Sequence, residues 1–207
     1  MKVRVGRRGL AILGIVLGAW GSLQSVAFAE TEVFEFDKAH TSPSFKVRHF
    51  FTPVNGHFKD FTGTVQWDAA DPTKSTVEIT IQTASIDTGN DKRDEHLRSA
   101  DFFDAANNPT ITFKSTKIDK TEMKDHYRVS GDLTMRGVTK PVVIDLEVLG
   151  FADLGKMGKR GGFHATTKIN RQDWNVSWSR KLDNGSVVLA DDVEIDFPIE
   201  VGKKASS

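Results

Sequence analysis

Cysteine is absent, tyrosine occurs once and proline six times among 207 residues. The missing cysteine removes disulfides, thiol nucleophiles, thiolate metal ligands and the lipid-modified cysteine of a lipoprotein together. An excess of either charge is missing too: 28 Lys and Arg face 28 Asp and Glu, so nothing marks a nucleic-acid surface. The chain holds no Gly-x-Ser-x-Gly and no phosphate loop. Its histidines, at 40, 49, 57, 96, 126 and 164, lack the i, i+4 spacing of helical zinc sites. No catalytic group, metal or cofactor is therefore expected, which leaves binding as the function to look for.

The first 29 residues differ from the rest. Lys2, Arg4, Arg7 and Arg8 precede an apolar run from Leu10 to Trp20, and Ala27-Phe28-Ala29 places small residues at a cleavage position. That is the form of a secretory signal peptide, and the apolar run falls short of the ~20 residues of a membrane span. Cleavage after Ala29 takes four basic and no acidic residues, leaving 24 against 28 and a formal charge of −4. The remainder suits one domain with a substantial core. Expected, then, is a periplasmic or secreted protein with its domain at 30–201 and a flexible tail at 202–207. Arg7-Arg8 leaves the twin-arginine export route open beside the ordinary one.

Apolar and polar residues alternate along most of the chain, as in strands with one buried face. Phe34 and Phe36 open the series, followed by Phe45, Val47 and His49, then Phe61, Gly63, Val65 and Trp67. Val77, Ile79 and Ile81 continue it, then Ile111 and Phe113, then Tyr127 to Met135, Val142 to Val148, Phe163 to Ile169 and Val193 to Val201. Turn chemistry at Val54-Asn55-Gly56, Ala70-Asp71-Pro72, Met135-Arg136-Gly137 and Asp183-Asn184-Gly185 separates several of these runs. Gly155 to Gly162 reads as a basic loop. Pro198 predicts a bulge or an open edge in the last strand, because it cannot donate to a ladder. Eight to nine strands without alternating helices exclude a parallel βαβ fold; a sandwich and a closed up-and-down barrel both fit the periodicity.

One stretch breaks the pattern. Asn90 or Asp91 can cap a helix, Asp91, Asp94 and Glu95 fill its first turns, and Asn107-Asn108-Pro109 stops it, so a short helix is expected at about 91–104. Leu97, Ala100, Phe102 and Phe103 give it a small apolar side that must dock on the strands.

This stretch also carries a resemblance. Ala-Ser-Ile-Asp-Thr-Gly-Asn at 84–90, Arg-Asp-Glu-His-Leu-Arg-Ser-Ala-Asp-Phe-Phe-Asp at 93–104 and Pro-Thr-Ile-Thr-Phe-Lys-Ser at 109–115 closely resemble the YceI family of bacterial polyisoprenoid-binding proteins. His40-Thr41-Ser42, Phe45 to His49, Gly131 to Pro141, Lys168 to Arg171 and Asp191 to Ile195 extend the likeness over nearly all of 33–200. It implies an all-β fold, an antiparallel eight-stranded lipocalin-like barrel with one short helix and an internal hydrophobic cavity. It also implies a bound isoprenoid or other long-chain lipid. Two stretches depart from the family pattern: Trp174-Asn175, where a Phe-Gly pair is usual, and Phe50-Phe51-Thr52-Pro53.

Candidate site residues follow from this frame. Phe45, Val47, Val65, Ile79, Ile81, Leu97, Phe102, Phe113, Leu133, Ile144, Phe163, Trp174 and Phe197 are expected to line the tail, with His49, Arg93, His96 or Arg98 at the head. His49 is also readable as a core histidine with its nitrogens satisfied by backbone, and the charged helix residues as solvated. Gly63 and Gly131 leave the inward set without a side chain in mid-strand, which suggests room for a guest or, alternatively, bulges. A tail of roughly ten carbons contributes on the order of 8 kcal/mol gross, at about 0.8 kcal/mol per methylene, so the tail supplies affinity and the head supplies orientation. Two rival readings stand beside it: an isoprenoid quinone passed to a membrane cytochrome, which the resemblance implies as an option, and an enzyme acting on the lipid head through His49 and an acidic partner. The sequence leaves the oligomeric state open, a homodimer included.

Overall fold

The computed structural model describes residues 31–179 and 188–203. The signal-peptide segment and the expected turn at Asp183-Asn184-Gly185 lie outside the described residues, as do 204–207 of the tail. Eleven strands make one antiparallel sheet: β1 Glu32–Phe36, β2 Ser44–His49, β3 Thr52–Phe58, β4 Phe61–Trp67, β5 Thr76–Gln82, β6 Ile86–Asp87, β7 Thr110–Lys120, β8 His126–Met135, β9 Val138–Asp153, β10 Lys159–Asn170 and β11 Leu189–Lys203. The one α-helix among the described residues, α1 Asp91–Arg98, follows β6. Strands β1, β4, β5, β7, β8, β9, β10 and β11 form a ring, and pairing of β11 with β1 closes it. This is the eight-stranded closed barrel, and closure removes the free edges that an open sheet would expose.

One wall of the barrel is built in two tiers. The chain breaks between β1 and β2, between β3 and β4, and between β5 and β6, so β2, β3 and β6 form an upper tier that continues from β11. Backbone bonds stitch the three breaks together: Phe58 donates to Pro43, Lys59 to Ser85, and Gln82 to Asp60. At the first break the buried Thr41 replaces a missing rung, its hydroxyl donating to the Glu200 carbonyl and accepting from the Glu200 amide. Pro198 stands where β11 changes neighbour from β2 to β1, so the amide it lacks has no strand waiting for it. The Pro198 carbonyl accepts from Ser42, and the sheet stays closed.

Several boundaries differ from expectation for local reasons. Val54, Asn55 and Gly56 are strand residues paired with Val47, Lys46 and Phe45. The turn lies earlier, at Phe50 and Phe51, with Phe50 at φ 53°. Only residues 154–158 form the β9–β10 turn, since Lys159 and Arg160 are drawn into β10 by carboxylates on and beside β1. Gly202 and Lys203, assigned to the tail from sequence, are the last rungs of β11. The helix ends at Arg98, because the Ser99 amide and hydroxyl both bond the His96 carbonyl and the chain turns extended. Its start is as read: the Asn90 side chain accepts from the Arg93 amide. At Met135-Arg136-Gly137 both Arg136 and Gly137 have positive φ, the geometry of a tight hairpin turn.

Carboxylates at the β1 closure respond to acid in a predictable way. Hydrogen bonds from Lys159 and then Lys203 hold the Glu32 carboxyl below its ordinary value. Asp37 is held low chiefly by the Ala39 amide, with His40 and Arg160 adding to it against partial burial. A depressed folded-state value means that both groups stabilise the fold fully above the unfolded carboxylate range near about pH 4 and lose that contribution as pH falls below it and through their lowered folded values. The urea midpoint should hold from neutral pH to about 5 and then fall, and Glu32→Gln should flatten part of that fall.

Candidate functional site

Inward residues of the barrel separate into two levels. At one end, Phe34, Trp67, Phe151 and Phe163 pack ring against ring, with centroids 5.1–5.7 Å apart, and seal the barrel. Above that plug the inner faces of β2, β5, β7, β8, β9 and β11 enclose a cavity of about 420 Å³, inside the range of roughly 300–1,000 Å³ usual for small-molecule sites. Val77, Ile79, Val142, Ile144, Leu146, Ile195 and Phe197 are among its walls. It meets solvent at the other end, where His49 and Val54 of the β2–β3 hairpin, Thr88, and the exposed Arg93 of α1 all border it.

Of the expected lining, Phe45, Val47, Ile79, Ile81, Leu97, Phe102, Phe113, Leu133, Ile144 and Phe197 face this space, with His49, Arg93 and His96 at its mouth. Val65 and Phe163 do not line it; both belong to the core that surrounds the aromatic plug. Trp174 is buried beside the cavity without lining it, and its indole donates to the Leu133 carbonyl at 3.0 Å. Arg98 turns away toward the carbonyls of Ala84 and Ile86. Alternation tells which face of a strand a residue is on and nothing of its height along the barrel, and these positions differ in height.

The mid-strand glycines do not make the room. A Cβ on Gly63 would fall 2.6 Å from the Phe36 ring, and one on Gly131 would fall 2.4 Å from the Phe113 ring. Each glycine lets a phenyl ring from the adjoining strand lie flat across the backbone, and Gly56 under Phe45 repeats the device. The empty volume therefore comes from the girth of the barrel. Gly131→Ala should destabilise by about 1–3 kcal/mol, read by urea unfolding, because both the Phe113 ring and the Lys114 carbonyl stand in the way of a methyl group.

Several cavity residues escaped the sequence reading. Val176 and Trp178 cross the open end in an irregular segment, where no periodicity could flag them. Trp178 stacks on Phe102 at 5.2 Å and meets the edge of His96 at 5.2 Å. Arg171 holds this segment: its guanidinium donates to the carbonyls of Ala190, Val176 and Trp178 and pairs with Asp191 at 3.0 Å. Burial pushes the guanidinium below its ordinary value, and Asp191 opposes that shift. The αL conformation at Asn175, φ 58°, makes the turn that leads into the segment, so Asn serves where glycine is usual.

Arg93 and His96, which border the cavity, already hold side-chain hydrogen bonds. Arg93 donates through Nε to the Thr88 hydroxyl at 2.7 Å and through a terminal nitrogen to the Thr88 carbonyl at 2.8 Å. His96 lies 2.8 Å from Asp101. Thr88 in turn donates from its amide and hydroxyl to the buried Asp94. Outside the barrel, Asp37, His40 and Glu200 come close together, but Arg160 sits among them at 2.6 Å from Asp37, so the group is an internal ion-pair network.

Residues 34–201 match the YceI-like domain. The chain belongs to the YceI-like family. Protein YceI of Escherichia coli O6:H1 is 37% identical over 167 residues, covering 80% of this chain and 86% of that one. YceI protein of Campylobacter jejuni superposes with a TM-score of 0.66 at 35% identity, over 82% of this chain and 96% of the other. BcnA of Burkholderia cenocepacia gives 0.71 at 27% identity, over 80% and 98%. A polyisoprenoid binding domain from Saccharophagus degradans shares the fold at 17% identity and a TM-score of 0.62, over 84% and 99%. The YceI-like barrel thus extends over the ring and its upper tier alike.

Proposed function

We propose that this protein binds an isoprenoid or similar long-chain amphiphile inside the barrel and carries it through the periplasm after export. The observation that carries the reading is the apolar cavity of about 420 Å³ bounded by strand side chains and open at one end. Burying hydrocarbon there is favourable at about 0.8 kcal/mol per methylene, whereas an exposed ion pair contributes only about 0–1 kcal/mol. Affinity then resides in the chain and grows with its length. The polyisoprenoid-binding description of the Saccharophagus degradans domain, which has the same fold, agrees with this choice of ligand.

The head group is neutral on this reading. A diphosphate needs several cationic donors at once; Arg171 pairs with Asp191, His96 lies against Asp101, and Arg93 keeps its charge but has Nε and one terminal nitrogen committed to Thr88, so few donors are left for a doubly charged head. The same observation favours the quinone as a second reading, since a quinone head carries no charge, with a membrane cytochrome as its partner. Chemistry at the head is disfavoured because His49 makes no ion pair with a carboxylate among the described residues, and its ring packs edge-on against Phe50 at 4.8 Å. Organic extraction of the purified protein followed by mass spectrometry should release an uncharged long-chain species. A reproducibly empty barrel overturns the carrier reading; a diphosphate overturns the neutral head; a quinone selects the redox reading.

A further inference from the structure

We propose that the β2–β3 hairpin is a membrane-docking tip that brings the cavity mouth onto an anionic bilayer. Phe51 is 97% exposed at the crown of that hairpin, more than any other large hydrophobic residue among those described. The hairpin is also part of the mouth, because His49 and Val54 on either side of the crown border the cavity. The crown is held in position: the Phe50 amide bonds the Val188 carbonyl, the Phe50 carbonyl accepts from Arg48, and His49 pairs with Leu189 of β11. Phe50 takes φ 53°, a conformation a bulky residue adopts only when its surroundings enforce it. The ring of Phe51 is thereby presented outward from a fixed support.

Charge selects the occupant. No Asp or Glu occurs from Lys38 to Lys59, in a chain whose acidic and basic residues balance overall. Lys38, Lys46 and Lys59 are neutralised by Asp60, Glu194 and Asp87, lower on the wall. Arg48, next to the crown, has no carboxylate partner among the described residues, and its contact to the Phe50 carbonyl leaves its charge uncompensated. An exposed ring beside a cation with no carboxylate partner among the described residues matches the headgroup region of a bilayer that contains anionic lipid, the ring entering the acyl boundary and the cation meeting phosphate. One ring and one cation give reversible attachment, which suits a protein that must collect a water-insoluble chain and leave with it; this purpose rests on the carrier reading, but the docking does not need it.

Sedimentation with vesicles of equal parts phosphatidylcholine and phosphatidylglycerol tests the tip. The wild-type protein should co-sediment, more weakly with added salt and more weakly with phosphatidylcholine alone. Phe51→Ser should lower partitioning by about tenfold or more, and Phe51→Trp should preserve it with a blue shift of tryptophan emission on vesicle addition. Arg48→Gln should remove most of the salt dependence. Partitioning unchanged in Phe51→Ser, or no partitioning of the wild type, overturns the proposal. Lipid extracted from the same samples separates the two claims: a loaded barrel that ignores vesicles refutes the tip alone, and vesicle binding by an empty barrel refutes the carrier alone.

Discussion

An Ile144→Trp variant should remain folded and lose bound lipid at least about tenfold, and a Val142→Trp/Ile144→Trp pair should lose it beyond detection by extraction and mass spectrometry. Both positions are inward on β9, two residues apart on one face, and both border the cavity rather than the sealed plug. An indole there projects into space that no protein atom occupies, so the barrel need not expand to admit it. Filling an apolar void commonly adds about 0.5–2 kcal/mol of stability, and the urea midpoint should therefore stay level or rise. A ligand needs the same volume, and each methylene kept out forfeits about 0.8 kcal/mol, so two rings displace enough chain to abolish uptake. A doubly substituted barrel that still carries a full lipid load would show that the chain lies elsewhere. A substitution at Gly131 is a poor substitute for this experiment, because the Phe113 ring already covers that position and the variant would report strain.

Arg171→Ala is expected to cost about 2–6 kcal/mol, mainly from two main-chain carbonyls left without a donor, since Asp191 is half exposed. The residue is 4% exposed, and its guanidinium bonds three main-chain carbonyls and one carboxylate. Truncation leaves the Val176 and Trp178 carbonyls facing an apolar interior with no donor, at about 1–3 kcal/mol for each unsatisfied group. It also frees the segment that carries Val176 and Trp178 across the mouth of the cavity. Urea unfolding should show the loss, and hydrogen exchange should show faster exchange at 175–178 before global unfolding. Arg171→Lys should recover little of it, since an ammonium cannot reproduce a planar fork aimed at separate acceptors. Equal stability of the alanine variant would mean that water or a rearranged chain satisfies those carbonyls.

Much of the fold was legible along the chain, and the failures share a cause. Phe61 to Trp67, Val77 to Ile81 and Tyr127 to Met135 alternate because one face of each strand is buried, and all three are strands with the expected inward residues. Asn90 caps its helix because its side chain reaches an amide three residues on, an interaction within one turn. Asn55-Gly56 misled because the dipeptide suits a tight turn, but the position opposite Phe45 needs a residue without a side chain, and Gly56 supplies it. Val65 and Phe163 misled because they share the inward face yet pack against rings brought together from other strands. Arg171 was seen only as part of a family motif, since nothing local marks a guanidinium whose acceptors lie five to twenty residues away.

By itself the amino-acid order determined which side chains share a face, where the helix begins, that no cysteine chemistry is possible, and to which family the chain resembles itself. The tertiary structure decided the rest: closure of β11 on β1, the plug at one end, the void above it, and the hydrogen bonds that hold Arg93 and Arg171 beside it. The division has a physical origin. Periodicity is a property of one strand and its two faces, while hollowness is a property of eight strands at once, fixed by the girth of the ring they close.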